Sequence, residues 1–387
     1  MTGRLWRLWL ILARLVAVVM AIEVCFAQTT SQAVAPPSAG DALRNPGPLS
    51  HLSAGLRRGS IHSAMRKVAD WQLARVQAKP SEDWTFAALY AGMIAASDTL
   101  GDPRYRQVVE QAGEAFHWQL GPRQTHADDQ AIGQSYLALY RHAPDPRKIA
   151  PLEAQFDRIL LLPDDPAKPV WWWSDALFMA PPVWSGLAQL THQPKYLDYM
   201  DRQWWVTVRL LYDPAEHLFS RDATFLDRHE ANGKKIFWSR GNGWVLGGIV
   251  RVLETMPPDH PARPRYEALY RDMAEKIRSI QSDDGLWRPG LLDARAYPLP
   301  ETSGSAFFTY ALAWGIHHHL LDRKRFTPVI ARAWKGLLAH VYEDGRLGCI
   351  QPVGASPDSF AASSSYVYGV GAFLLAGSEL AQLSGRR

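Results

Sequence analysis

From Ile61 onward, apolar residues recur at three- and four-residue spacing in one segment after another, the pattern of helices with a buried face. It predicts twelve helices, at 62–78, 84–99, 103–119, 128–141, 147–161, 175–191, 194–209, 243–256, 262–281, 304–320, 325–340 and 364–383. Strand-like stretches are confined to short pieces around 218–225 and 234–238. Alternate helices differ in kind. The even-numbered ones are apolar nearly all round and rich in small residues, as in Ala87-Ala88-Leu89-Tyr90-Ala91-Gly92 or Gly369-Val370-Gly371-Ala372. The odd-numbered ones, such as 264–279 with its Arg, Glu and Lys, carry one charged and one apolar face. Six buried helices, each paired with an amphipathic one, make an inner and an outer ring. The expected fold is therefore all-α, a single (α/α)6 barrel. An open helical solenoid would show a fixed repeat length, and none is present.

Polar residues collect where the inner helices begin. The clusters are Trp84-Thr85, Asp128-Asp129-Gln130, Ser174-Asp175, Arg240-Gly241-Asn242-Gly243-Trp244, Glu301-Thr302-Ser303-Gly304-Ser305 and Ser363-Ser364-Ser365-Tyr366. With the inner helices parallel, all six starts meet at one mouth, where free N–H groups and positive dipole ends favour acidic side chains and anionic ligands. N-capping accounts for any one cluster. It does not account for two carboxylate sites, an arginine and several tryptophans converging.

Ahead of the helices the pattern changes. Arg4 and Arg7 precede an apolar run from Leu8 to Met20 broken by Arg14, and Cys25-Phe26-Ala27 ends it with a small residue. This is the layout of an export signal over 1–27, too short and interrupted for a comfortable membrane span. A Pro-, Ala- and Ser-rich tether is expected over 28–58, leaving 59–387 for the barrel. The protein is expected to be periplasmic or secreted, with no stable membrane insertion after cleavage. Loss of Arg4, Arg7, Arg14 and Glu23 takes the formal charge from +4 to +2, so there is no argument for nucleic-acid binding. It also leaves Cys349 as the one cysteine, which excludes an intrachain disulfide. Sixteen tryptophans suit either a large helical core or a sugar-binding cleft in which flat ring faces stack.

Asp175 follows Trp171-Trp172-Trp173-Ser174 at a helix start. An aromatic surround raises a carboxyl's pKa while the helix dipole opposes the rise, and such a group can serve as a general acid. Asp128 and Asp129 form the second carboxylate site. One of them caps its helix and the other faces the mouth; the local pattern leaves open which. In Trp238-Ser239-Arg240-Gly241-Asn242-Gly243-Trp244 the glycines allow close backbone approach, Arg240 can grip a carboxylate, and the indoles offer stacking faces. Trp84, Trp173, Trp238, Asn242, Trp244, Thr302 and Ser303 join Arg240 and Arg221 as expected substrate contacts. His317-His318-His319 cannot all face one metal, and no phosphate loop, dinucleotide fingerprint or HExxH motif occurs, so neither metal nor cofactor is expected.

Asp175-Ala176-Leu177-Phe178-Met179-Ala180-Pro181-Pro182, then Trp238 to Trp244, then Glu301-Thr302-Ser303-Gly304-Ser305-Ala306-Phe307 resemble glycoside hydrolase families 88 and 105, the unsaturated glucuronyl and rhamnogalacturonyl hydrolases. The resemblance runs from about Ser60 to Ala381 and implies an (α/α)6 barrel. It also implies an anionic oligosaccharide substrate ending in a 4,5-unsaturated uronic acid. By the same resemblance Asp175 protonates C4 of the enol ether and activates the water that adds at C5. Asp128 or Asp129 supplies the second aspartate, and Arg240 and Trp244 contact substrate. One departure stands out: where family members often carry a histidine, this chain reads Leu218-Phe219-Ser220-Arg221-Asp222. A permanent cation there would suit a more acidic substrate. The competing readings are an inverting glycosidase acting on saturated glycosides through Asp175 with Asp128 or Asp129, a lyase, and a carbohydrate-binding protein without turnover.

Overall fold

The computed structural model describes residues 40–41, 47–163, 165 and 167–385. Residues 1–27 and most of the expected tether lie outside that set. Twelve helices occur among the described residues, two of them interrupted. The outer ones are α1 (Arg58–Val76), α3 (Arg104–Ala115), α5 (Ala150–Leu160), α7 (Pro194–Leu211), α9 (Arg263–Ser279) and α11 (Arg323–Leu338). The inner ones are α2 (Trp84–Leu100), α4 (Ala127–Gln130 and Gly133–His142), α6 (Ala176–Met179 and Pro181–Thr191), α8 (Ser239–Thr255), α10 (Thr302–His317) and α12 (Val367–Ser384). Each inner helix packs on the next, and α12 closes the ring on α2, which makes the (α/α)6 barrel.

The small residues of the inner helices have a steric purpose. A Cβ on Gly92 of α2 would lie 2.4 Å from the Gly371 carbonyl oxygen of α12, and one on Gly371 would lie 2.2 Å from Ala88 O. Only glycine at both positions lets the two backbones meet at that distance. The barrel axis is filled with rings: Trp244 packs 4.8 Å from Phe178 and 4.4 Å from Phe307 by centroid. The interior is thus a core closed beneath the mouth, and no helix among the described residues is long and apolar enough to cross a membrane.

Two expectations need revision. The tether does not reach residue 58. Gly40–Asp41 (β1) pairs antiparallel with Ser365–Tyr366 (β4), the Ser50 N–H donates to Val341 O at 2.8 Å, and Leu52, Ala54 and Leu56 pack on the core. Alternating apolar residues there outweigh the turn-forming composition. The sixth helix, expected as one piece over 175–191, is broken at Ala180, because Pro181 and Pro182 have no N–H to continue the ladder. The strand-like piece near 218 forms as Leu218–Phe219 (β3), paired with Tyr212–Asp213 (β2); near 234–238 only isolated bridges occur, His229 with Lys235 and Trp238 with Gly290.

Candidate active site

The starts of the inner helices are stitched to one another. Trp84 stacks on Tyr368 at 5.5 Å and meets Trp244 edge-on at 6.0 Å. Trp238 Nε1 donates to Gln351 Oε1 at 2.9 Å, and Arg240 Nη1 donates to Gln351 O at 2.6 Å. Side chains from α2, α8 and α12 and the 349–352 loop therefore form one wall.

Asp175 is buried, 8% exposed, within electrostatic reach of Arg240 of that wall. Capping is the ordinary use of an acidic residue at a helix start, and two other inner helices show it: Asp83 accepts from the Thr85 N–H, and Glu301 from the N–H groups of Ser303 and Gly304. Asp175 does neither. Its backbone is already helical, and its Oδ2 accepts from the Ser174 hydroxyl at 3.0 Å. Burial pushes its carboxyl above the ordinary range, against the lowering by Arg221, Arg240 and the Ser174 hydrogen bond.

The geometry separates Asp128 from Asp129. Asp129 turns away: its carboxylate accepts from the Arg123 backbone N–H at 2.6 Å and from Nε at 3.0 Å and Nη2 at 2.5 Å. It is an anchor for the 121–126 loop. Asp128 makes no such ion pair with Arg123 and lies within electrostatic reach of Asp175: its carboxyl is pushed up to about 7, by burial first and then by the Asp175 charge. The cap of this helix is neither aspartate but His126, whose Nδ1 accepts from the Asp128 N–H at 3.3 Å. Burial and then Arg123 lower the His126 pKa, which keeps its ring neutral and able to accept.

The three indoles expected in front of Asp175 take separate places. Trp171 is in the core against Tyr199, Trp173 is buried against the His126 ring at 4.9 Å, and Trp172 is 47% exposed. Above Trp172, at 5.5 Å from its ring, lies the Arg221 guanidinium, which also pairs with Asp222 at 2.7 Å. Arg221 Nε is buried and has no hydrogen-bond partner. A backbone bond from the Ser174 N–H to Arg221 O at 2.8 Å fixes this loop beside Asp175.

Other expected contacts are committed to the fold. Asn242 is wholly buried; its Oδ1 accepts from the Phe219 N–H at 2.7 Å, and its Nδ2 donates to Phe219 O and Trp238 O at 3.0 Å each. Thr302 Oγ1 donates to Gly348 O, and Ser303 Oγ to Glu301 Oε1. These three side chains hold loops and present nothing to a ligand. Arg240 is likewise buried, its guanidinium donating to Gln351 O and Pro352 O and lying between the rings of Trp238 and Tyr368 at 4.3 and 4.9 Å. Each Nη group thus already gives one donor to the 351–352 loop, and Nε is buried without a partner. Trp238 and Trp244 are buried as well and shape the floor. Two further residues of the site, His126 and Gln351, are not legible in the sequence. Neither stands in a recognisable pattern, and Gln351, which also accepts the Tyr368 hydroxyl and donates its N–H to Glu301, lies in a loop far along the chain.

Two carboxyls in an aromatic setting at the starts of a ring of inner helices suit a glycoside hydrolase. The chain belongs to glycosyl hydrolase family 88, whose model matches residues 59–384. It is 42% identical, over 86% of this chain and 93% of the relative, to an unsaturated 3S-rhamnoglycuronyl hydrolase of Formosa agariphila. Among solved structures it resembles a glycosyl hydrolase family 88 protein from Bacteroides vulgatus, with 30% identity, a TM-score of 0.80, and coverage of 84% of this chain and 99% of the other. It also resembles a protein described as a polysaccharide lyase, with 30% identity, a TM-score of 0.81, and coverage of 85% and 99%. The protein is thus a glycoside hydrolase of the unsaturated-uronyl type, acting on oligosaccharides.

Proposed function

We propose that the enzyme removes a 4,5-unsaturated uronic acid from the non-reducing end of an anionic oligosaccharide, with 3-sulfated rhamnose next in the chain. The observation that carries this reading is the placement of Asp175, buried without capping and within electrostatic reach of Asp128. The sulfated rhamnose is taken from the name of the relative with 42% identity, and a buried, unpartnered Arg221 Nε beside an exposed tryptophan suits an acidic sugar.

In this reading Asp175, its carboxyl raised by burial, gives its proton to C4 of the enol ether. Positive charge develops at C5 and is stabilised by the Asp175 carboxylate that the transfer leaves behind. Water then adds at C5 and returns a proton to Asp175. The hemiketal opens to a 4-deoxy-5-keto uronate and releases the rest of the sugar, so one water is consumed and the carboxyl is restored. Asp128 orients the sugar or the water and holds its own proton up to about pH 7. Trp84 and Trp172, the least buried of the indoles around the mouth, supply stacking faces. Residues 1–27 act as an export signal in this account, and N-terminal sequencing of protein recovered from the cell envelope or medium checks that.

The test is incubation with lyase-digested polysaccharides while following the enol-ether absorbance. Loss of absorbance supports hydration. A gain would favour the lyase reading that one structural relative raises.

A further inference from the structure

The short helical turn that starts at Asp175 cannot hold itself in place. Four residues, Ala176–Met179, make too little helix to be stable alone. The Pro181-Pro182 pair just beyond it weakens it further. Pro182 has no N–H for the carbonyl of Phe178, and the Val183 N–H goes to Ala180 O at 2.8 Å instead of to Met179 O. Two buried carbonyls, of Phe178 and Met179, are left without their helical donors.

Both are served by one side chain. Gln134 of α4 is 3% exposed, and its Nε2 donates to Phe178 O at 2.7 Å and to Met179 O at 3.2 Å. Its Oε1 accepts from Arg251 Nε of α8 at 2.5 Å, which fixes which way the amide faces. Gln134 also stands on the helix that Asp128 begins. A continuous path of hydrogen bonds joins the two carboxyl sites: Ala131 N–H to Asp128 O at 3.3 Å, Gln134 N–H to Ala131 O at 3.2 Å, the Gln134 amide to Phe178 O, and Phe178 N–H to Asp175 O at 3.0 Å.

We propose that Gln134, oriented by Arg251, is a positioning residue that sets the separation of the Asp128 and Asp175 carboxyls by clamping the carbonyls left free before the Pro181-Pro182 break. This rests on the reading that those two carboxyls react with substrate. Gln134 reaches neither of them; it acts through the backbone that carries them. A second link between the same helices, Trp184 Nε1 to Gln130 Oε1 at 2.9 Å, is independent of it and keeps α4 and α6 together when the clamp is removed.

The experiment compares wild type, Gln134→Leu, Arg251→Met, Arg251→Lys and Asp175→Asn on an unsaturated oligosaccharide that the wild type consumes, each with a melting curve. Gln134→Leu is expected to lower kcat roughly 10- to 100-fold with KM within about threefold, the size of effect a small misplacement of reacting groups produces. Its pH–rate profile shifts towards ordinary carboxyl values, because the Asp175 charge no longer adds to burial at Asp128. Arg251→Met shows the same change more weakly, and Arg251→Lys, which keeps a donor, recovers most of it. A lower Tm with wild-type kcat and pH profile in Gln134→Leu overturns the inference; if that variant does not fold, the same result in Arg251→Met does so. An inert Asp175→Asn beside a normal Gln134→Leu overturns this inference alone, whereas an active Asp175→Asn overturns the catalytic reading beneath it.

Discussion

Asp128 and Asp175 stand at the starts of adjacent inner helices, and the charge of Asp175 adds to burial in holding the Asp128 carboxyl at about 7. Asp129, one residue along, is engaged with Arg123 instead. A single step along the chain thus separates a carboxyl available for chemistry from one spent on architecture.

The two neighbours are therefore expected to respond differently to the same change. Asp129→Asn weakens a buried, charge-assisted anchor whose cation is half exposed, and lowers stability by about 1–3 kcal/mol. Asp128→Asn lowers kcat by about 10²–10⁴ with the fold retained. Denaturant unfolding and steady-state kinetics on the pair decide this.

Stability should depend on pH in a stated direction. Asp128 and Asp175 have folded-state pKa values above their unfolded values, so the native state binds more protons than the unfolded one, for Asp128 between about pH 4 and pH 7. Their contribution to stability is present at low pH and lost as pH rises through that window. For Asp128 alone the loss is on the order of 4 kcal/mol at most. Unfolding midpoints at pH 5 and pH 8 measure it, and Asp128→Asn flattens the difference.

Asn242→Ala removes a wholly buried amide that bonds the backbone of Phe219 and Trp238. A stability loss of about 2–4 kcal/mol is expected, with KM little changed in whatever folded enzyme remains. Trp172→Ala is the contrasting case: its ring is half exposed and supports Arg221, so KM rises roughly tenfold while the Tm stays near wild type.

These contrasts show where the sequence is readable and where it is not. Helical periodicity and the Ala- and Gly-rich alternate segments specify the two rings, because the inner helices have room for nothing larger at contacts such as Gly92 with Gly371. The convergence of helix starts follows from the ring. The direction in which a side chain turns does not follow. Nothing local distinguishes Asp128 from Asp129; Arg123 does so through a loop that folds back. Asn242 and Arg240 read as ligand contacts because polar residues beside glycines at a mouth look available. Their partners, Phe219 and the Gln351–Pro352 carbonyls, lie 23 and more than 100 residues away. Gln134 looks like part of a buried helix, and its role emerges only when the Pro181-Pro182 break is set against it.

The central claim is that Asp175 protonates an enol ether. The most direct measurement follows the enol-ether absorbance of an unsaturated uronyl oligosaccharide bearing 3-sulfated rhamnose, with wild type and Asp175→Asn side by side. Wild type is expected to remove the absorbance, and Asp175→Asn, folded and of similar Tm, to be slower by about 10²–10⁴. Near-equal rates in the two proteins would contradict the claim.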